Sequence, residues 1–390
     1  MKKLIYNQIE KNQKTYIEMA EYIFDHPERG NQEFLAVQLL TDYLLENDFE
    51  VEKGIAGLKT AFRASYKQGN GGPVIGLLAE YDALEGIGHA CAHHLQGPAI
   101  VGAALALKNV LKDFDYTLVI YGTPAEETTS GKIPMLEHGY FKELDLALMI
   151  HGNPGTTVDI KSMAMVSYYV SFYGKASHAA VMPEAGRSAL DALLLSFQAV
   201  EFLREHVSDQ VRLHYTVLNA GGPANIVPAE AQGHFYLRSY DSNDLPQIKK
   251  RFENIIQGAA LMTDTEAKIE IQKELLAKVP VITLNDLIMS NAHEAGAPNI
   301  VAPREKTGSS DFGNVMFEIP GSCLRMDLVP LGTSSHSEEY LQAGKGKRAE
   351  TCLLTGAKIL AGTAFDLIVN EENIRMIKEE FAARKAGVQF

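Results

Sequence analysis

Val74-Ile-Gly-Leu-Leu-Ala79 runs into Glu80-Tyr81-Asp82, and the next landmark is Gly88-His89-Ala90-Cys91-Ala92-His93-His94. A short unbroken apolar run of this kind reads as a strand buried on both faces. Past its end, a cysteine and three histidines fall within seven residues. Two further runs end in the same way. Leu118 to Tyr121 leads into Gly-Thr-Pro-Ala-Glu126-Glu127, and Leu146 to Ile150 ends at His151. Thiolate, imidazole and carboxylate are the groups that bind borderline transition metals. Set at the ends of three successive strands, they predict a metal site and metal-assisted hydrolysis.

The surrounding pattern is α/β. Residues 13–25 and 33–47 read as amphipathic helices, with Leu35, Leu39, Leu40, Tyr43 and Leu44 in helical period. Residues 61–66 and 73–79 read as strands joined by a hairpin-type turn at Gly69-Asn70-Gly71-Gly72. A buried helix at 98–112, a strand at 117–121, a helix near 130–139 and a strand at 145–150 continue the alternation. That order implies a sheet covered on both faces, with ligands gathered at the strands' carboxyl ends.

The texture changes at Ser162. Strands are expected at 166–174, 211–218, 231–240 and 268–274, with helices at 186–204 and 245–261. This strand-helix-strand-strand-helix-strand order is that of a small ferredoxin-like α+β sandwich with its helices on one face. After Pro280 the chain returns to mixed elements and closes with helices around 338–362 and 370–384. The expected organisation is a discontinuous catalytic domain, residues 1–162 and 278–390, interrupted by an inserted domain, residues 163–277.

The bulk numbers exclude several classes. With 390 residues, 46% hydrophobic and 22% charged, the composition is globular and the length favours two domains. A net charge of −13 without a lysine- or arginine-rich block argues against nucleic acid and anionic membranes as partners. Met1-Lys2-Lys3 begins like a signal peptide, but Asn7, Gln8, Glu10, Lys11 and Asn12 leave no apolar segment behind it. No unbroken apolar run approaches the roughly 20 residues of a bilayer span. Three cysteines, Cys91, Cys323 and Cys352, make no disulfide framework, so a cytoplasmic location is expected.

Cys91 and His93, one residue apart on a loop before a helix, are the first ligand candidates; the helix dipole would favour the thiolate. His89 and His94 read as bystanders. In the Glu126-Glu127 pair, one carboxylate would ligate and its neighbour act as general base. Repulsion and burial would raise the proton affinity of the second. His151 closes its strand where a merely solvated histidine is unexpected. Asp82 is placed to orient a metal-bound imidazole, with turn capping as the plainer role. His336, in Gly332-Thr-Ser-Ser-His336-Ser-Glu-Glu339, stands too far along the chain for spacing to assign it.

Taken together, His-Ala-Cys91-Ala-His93, Thr-Pro-Ala-Glu126-Glu127, His151, Gly174-Lys-Ala-Ser-His178-Ala, Asn225-Ile-Val-Pro, Ser310-Asp311-Phe-Gly-Asn-Val and His336 stand in a recognisable order. The chain resembles the M20 metallopeptidases over essentially its whole length. Within them it is similar to the amidohydrolase branch that carries Cys-Gly-His, in the aminoacylase-1-like and p-aminobenzoyl-glutamate hydrolase group. The resemblance implies a mixed-sheet, di-metal aminopeptidase-like catalytic domain with an inserted lid that dimerises. It implies Cys91, His93, Glu127, His151 and His336 as ligands of two divalent ions, with Cys91 bridging. Zinc or manganese would be the metal, with cobalt and nickel as further candidates. It implies Glu126 as general base and acid, with Asp82 beside it, and His178, Asn225 and Arg238 as substrate contacts. Two positions depart from the pattern. Ala92 stands where the family has glycine, which demands a permissive backbone there, and His94 replaces an aspartate or asparagine near the metals.

The function so implied is hydrolysis of an amide bond in N-acyl-amino acids or related small conjugates. The alternatives are a dipeptidase or carboxypeptidase with the same ligands, and a non-catalytic metal-binding homologue. The spare carboxylate of the Glu126-Glu127 pair argues against the last, because a structural metal site needs none.

Overall fold

The computed structural model describes residues 1–241 and 244–387. Residues 242, 243 and 388–390, which fall in the expected inserted and C-terminal segments, lie outside the described residues. The chain divides into two compact units, Met1–Lys161 with Lys278–Gly387, and Ser162–Ala277.

The first unit opens with helices α1 (Lys2–Lys11), α2 (Gln13–Asp25) and α3 (Phe34–Glu46). Strands β1 (Glu50–Lys53), β2 (Phe62–Gln68) and β3 (Val74–Ala79) follow, then helix α4 (Gln96–Val110). After them come β4 (Tyr116–Gly122), α5 (Lys132–Glu137), β5 (Leu146–Pro154) and β6 (Thr157–Ser162). The second unit holds β7 (Ala164–Tyr173), α6 (Ala189–Arg204), β8 (Val211–Asn219), β9 (Glu230–Ser239), α7 (Asp244–Thr263) and β10 (Glu266–Leu275). The chain then returns to the first unit with α8 (Ile282–Glu294), β11 (Arg304–Thr307), α9 (Phe312–Glu318) and β12 (Gly321–Val329). Helices α10 (Glu338–Gln342), α11 (Lys347–Val369) and α12 (Glu371–Gly387) close it.

An eight-stranded mixed sheet forms the first unit, in the order β1-β2-β4-β3-β5-β12-β6-β11. Its centre, β4-β3-β5-β12, is parallel throughout. Parallel strands covered on both faces are apolar along their length, which is why Val74–Ala79 reads as an unbroken run. One face buries Leu78, Val119, Tyr121 and Met149 against Met135 of α5 and Phe312 of α9. The opposite face is covered by α4 and α11, which pack on each other.

One sequence expectation changes here. The segments 61–66 and 73–79 do not form a hairpin: β4 lies between β2 and β3, antiparallel to the first and parallel to the second. The Gly69–Gly72 turn is instead pressed against the chain entering β4. A Cβ on Gly72 would come 1.8 Å from the Asp115 carbonyl oxygen, so only glycine fits this approach. Helix α11 is long and apolar enough by length and composition to cross a bilayer, which a search for unbroken apolar runs passes over. Most of that stretch is buried in the protein, so it serves as a core helix.

The second unit is a four-stranded antiparallel sheet in the order β10-β7-β9-β8. Alternate residues of β7 (Val166, Tyr168, Val170, Phe172) join Phe235 and Phe252 in a core beneath α6 and α7. Period-two burial on the strands and helices on one face make this a ferredoxin-like sandwich.

Candidate metal centre

Strands β4, β3 and β5 are neighbours and parallel, so their carboxyl ends share one edge of the sheet. Glu80, Asp82, Cys91 and His93 follow β3; Glu126 and Glu127 follow β4; His151 lies in β5. His336 arrives from the loop after β12, where its backbone N–H donates to the carbonyl of Ala90 at 3.1 Å. Donor atoms of Cys91, His93 and His151 lie within 4.8 Å of one another, as do those of Cys91, Glu127 and His336. The same holds for His93, Glu126 and Glu127.

Hydrogen bonds decide which imidazole nitrogens face the cluster. Nδ1 of His93 sits 3.0 Å from Oδ1 of Asp82 and 3.1 Å from the Asp82 carbonyl, so it donates there. Its Nε2 is buried without a hydrogen-bond partner, 3.2 Å from Oε2 of Glu80. Nδ1 of His151 donates to the Gly152 carbonyl at 2.7 Å, leaving Nε2 toward Cys91 Sγ at 3.5 Å. Tyr340 donates to the same carbonyl at 2.6 Å and pins the strand end. Asp82 also accepts the Glu127 backbone N–H at 3.0 Å, tying the glutamate pair to the cysteine loop.

The charges converge. Burial opposes ionisation of the Cys91 thiol, but His93 and His151 outweigh it and hold it at about 6. Glu127 is held at about 2, since burial is outweighed by His336, 3.1 Å away, and by His93. Glu126 moves the other way. Burial, then the charges of Glu80, Asp311 and Glu127, push it well above the ordinary carboxylate range. Although burial opposes it, Cys91 and Glu80 raise the proton affinity of His93, and Cys91 and Glu127 raise that of His336, so both imidazoles face concentrated negative charge. Among the described residues, His93 Nε2 and Glu127 Oε1 are buried without a well-aligned hydrogen bond, although Glu80 and His336 stand close. A thiolate, imidazole nitrogens and carboxylates so arranged fit divalent cations.

His89 and His94 face away. His89 Nε2 meets the Ile23 carbonyl at 3.1 Å, and His94 Nε2 meets that of Gly344 at 2.8 Å. Both are buried and kept neutral, His89 pushed down to about 4. Position 94 therefore packs beside Phe24 instead of lining the cluster. Ala92 keeps the left-handed turn with φ 62°, at a strain of roughly 1 kcal/mol for a residue with a Cβ.

Five supporting residues, Glu33, Glu80, Gln96, Lys132 and Asp311, were not assigned a role from sequence. Lys132, with no exposed surface, places Nζ 2.6 Å from Glu80 and 2.7 Å from Asp311. Gln96 donates to the second oxygen of Glu80 at 2.8 Å. Glu80, Glu126 and Asp311 thus form a buried acidic group with Lys132 as its internal counter-charge. Glu33, fully buried, accepts the backbone N–H of Ala125 at 2.8 Å and the Thr60 hydroxyl at 2.7 Å. It supports the turn with φ 60° at Ala125 that presents the glutamate pair. The available signals were Glu80 at its strand end and a lone lysine six residues after Glu126.

In the inserted unit, His178 and Asn225 are exposed neighbours: His178 bridges to Ile226, and the Ala179 N–H donates to the Asn225 carbonyl at 3.0 Å. Arg238 is separate, on β9 over the Tyr236 ring, with a buried Nε that has no hydrogen-bond partner among the described residues.

A mixed-sheet catalytic unit with a thiolate-histidine-carboxylate cluster and a ferredoxin-like insertion defines the class, a metal-dependent hydrolase. Residues 160–263 match the peptidase dimerisation domain. The chain is 32% identical to Xaa-Arg dipeptidase of Mus musculus, over 94% of this chain and 88% of the relative. It is 29% identical to one of the p-aminobenzoyl-glutamate hydrolase subunits of Escherichia coli K12, over 95% and 93%. A dinuclear metal-binding M20 peptidase structure from Bacillus subtilis shares the fold, with a TM-score of 0.72, 18% identity and coverage of 92% and 99%. The chain belongs to the M20 family, and it is a hydrolase of amide or peptide bonds.

Proposed function

We propose that this enzyme hydrolyses the amide bond of N-acyl-amino acids or related small conjugates, using two divalent ions. The reading rests on two donor sets that share Cys91, one completed by His93 and His151 and the other by Glu127 and His336. Zinc suits the thiolate, and manganese, cobalt or nickel are the other candidates. When bound, the ions would polarise the scissile carbonyl and acidify the attacking water. Glu126 takes that water's proton and delivers it to the departing amine as the C–N bond breaks. Its raised proton affinity suits both steps. Asp82 positions His93. His178 stabilises the tetrahedral oxyanion, while Asn225 and Arg238 hold the substrate. The partnerless Nε of Arg238 supports a carboxylate contact there.

The second reading, a dipeptidase, is favoured by the names of the Xaa-Arg dipeptidase relatives. We assign dimerisation to the inserted unit, whose edge strand β8 leaves Val217 and Leu218 exposed. Three free cysteines suit a reducing cytoplasm. The test is a panel of acetyl-, benzoyl- and aminoacyl-amino acids offered to chelated protein re-metallated ion by ion. Turnover of acyl over aminoacyl substrates supports the first reading and the reverse supports the second. No turnover with any ion would overturn both.

A further inference from the structure

Glu80 follows strand β3 directly, and it is clamped at both its backbone and its carboxylate. Its backbone N–H donates to Oε1 of Gln96 at 3.1 Å, and Nε2 of the same glutamine donates back to Glu80 Oε2 at 2.8 Å. The Lys132 ammonium donates to the other carboxylate oxygen at 2.6 Å. Gln96 opens α4 and Lys132 opens α5, so two helices and a strand fix one side chain. Lys132 also donates to Asp311 at 2.7 Å. One ammonium between two carboxylates orients Glu80 without cancelling its charge.

The clamp holds Glu80 Oε2 3.2 Å from Nε2 of His93, with both side chains only 1% exposed. Because His93 donates from Nδ1 to Asp82, the neutral ring presents a lone pair at Nε2. Oε2 uses one lone pair on Gln96 and keeps another. Two acceptors facing each other at this distance, away from water, repel unless a cation lies between them. A proton bridges them poorly, since among the described residues His93 Nε2 makes no aligned hydrogen bond. A metal ion suits the pair better, because its ligands converge at an angle. Donors bonded at about 2.0 Å to a tetrahedral ion stand roughly 3.3 Å apart. Glu80 also feels the charge of His151, which belongs with Cys91 and His93 to one donor set. A plain counter-ion for Lys132 needs neither the glutamine clamp nor this approach to a metal-facing nitrogen.

We propose that Glu80 is a further ligand of the ion held by Cys91, His93 and His151, a fourth protein donor positioned by Gln96 and Lys132. This rests on the two-ion reading above and adds to it. The two sites are then unequal, with four protein donors at one and three at the other, so loss of Glu80 weakens one ion and spares its neighbour.

The experiment titrates metal-free protein with cobalt, reading affinity by competition with a chelator and coordination by the visible absorption bands. Wild type should take up two ions. In Glu80→Gln one of them should bind more weakly, by more than the roughly 10- to 100-fold of a lost orienting partner. At saturating cobalt the bands should also change, because a ligand has gone. Glu80→Asp keeps the charge and draws the oxygen back by one methylene. It should alter the bands in the same way, and it keeps the test open should Glu80→Gln fail to fold. A residue that only supports the site lowers affinity and leaves the bands of the saturated protein as they were. Two ions in wild type with bands unchanged in both variants would therefore overturn Glu80 alone. Fewer than two ions in wild type would overturn the two-ion reading and this ligand with it.

Discussion

Nδ1 of His93 lies 3.0 Å from Oδ1 of Asp82, with both side chains shut off from solvent. The contact fixes the histidine tautomer and aims Nε2 into the cluster. Because the other Asp82 oxygen accepts the Glu127 N–H, one carboxylate sets the geometry of two proposed ligands from different strands.

Asp82→Ala should therefore weaken metal binding, by roughly 10- to 100-fold for a lost ligand-orienting carboxylate. Competition against a chromophoric chelator reads the affinity directly. Binding equal to wild type would show that His93 needs no such support.

Glu126→Gln preserves shape and removes the proton carrier. Metal content measured by elemental analysis should stay at the wild-type level, while kcat falls by about 10²- to 10⁴-fold. Full turnover in this variant would remove Glu126 from the mechanism.

The sequence made the strand ends legible because chemistry and periodicity coincide there. An apolar run that ends ahead of the Cys91 loop, of the Glu126-Glu127 pair or at His151 marks both a buried strand and what it presents. The pairing of β2 with β4 was not legible, since a glycine-rich turn signals a reversal without saying which strand receives it. Lys132 and Glu33 stayed hidden for a different reason. A buried charge is recognisable by its partners, and Asp311 lies 179 residues from Lys132 while Ala125 lies 92 from Glu33. At position 94 the residue reading of a bystander agrees with the geometry, and the implication of the resemblance that it lies near the metals does not, because adjacency to His93 says nothing about direction. A turn with φ 62° at Ala92 precedes the pair, and the two rings leave it on different courses.

Lys132→Met strands Glu80 and Asp311 without their counter-charge in a site closed to solvent. Breaking a buried pair of this kind costs about 3–5 kcal/mol, readable as a lower urea midpoint for the metal-free protein. Adding Glu80→Gln to the variant should recover part of the loss. Identical midpoints for the single and double variants would mean the carboxylates were never uncompensated.

Glu33, beneath the turn that presents the glutamate pair, supplies a pH signature of its own. Burial pushes its carboxyl from 4.5 to about 7, although Thr60 and the Ala125 N–H both favour the charged form. The folded state therefore holds this proton more tightly than the unfolded chain does. The resulting stability is fully present below pH 4.5 and is lost as pH rises through about 7. The loss is on the order of 3 kcal/mol for a shift of this size. Glu33→Gln has no such proton to release. Unfolding free energies of the two metal-free proteins, measured in urea from about pH 4.5 to 8, should diverge by that amount in favour of the variant at the upper end. Curves that stay parallel would place the Glu33 titration outside this range.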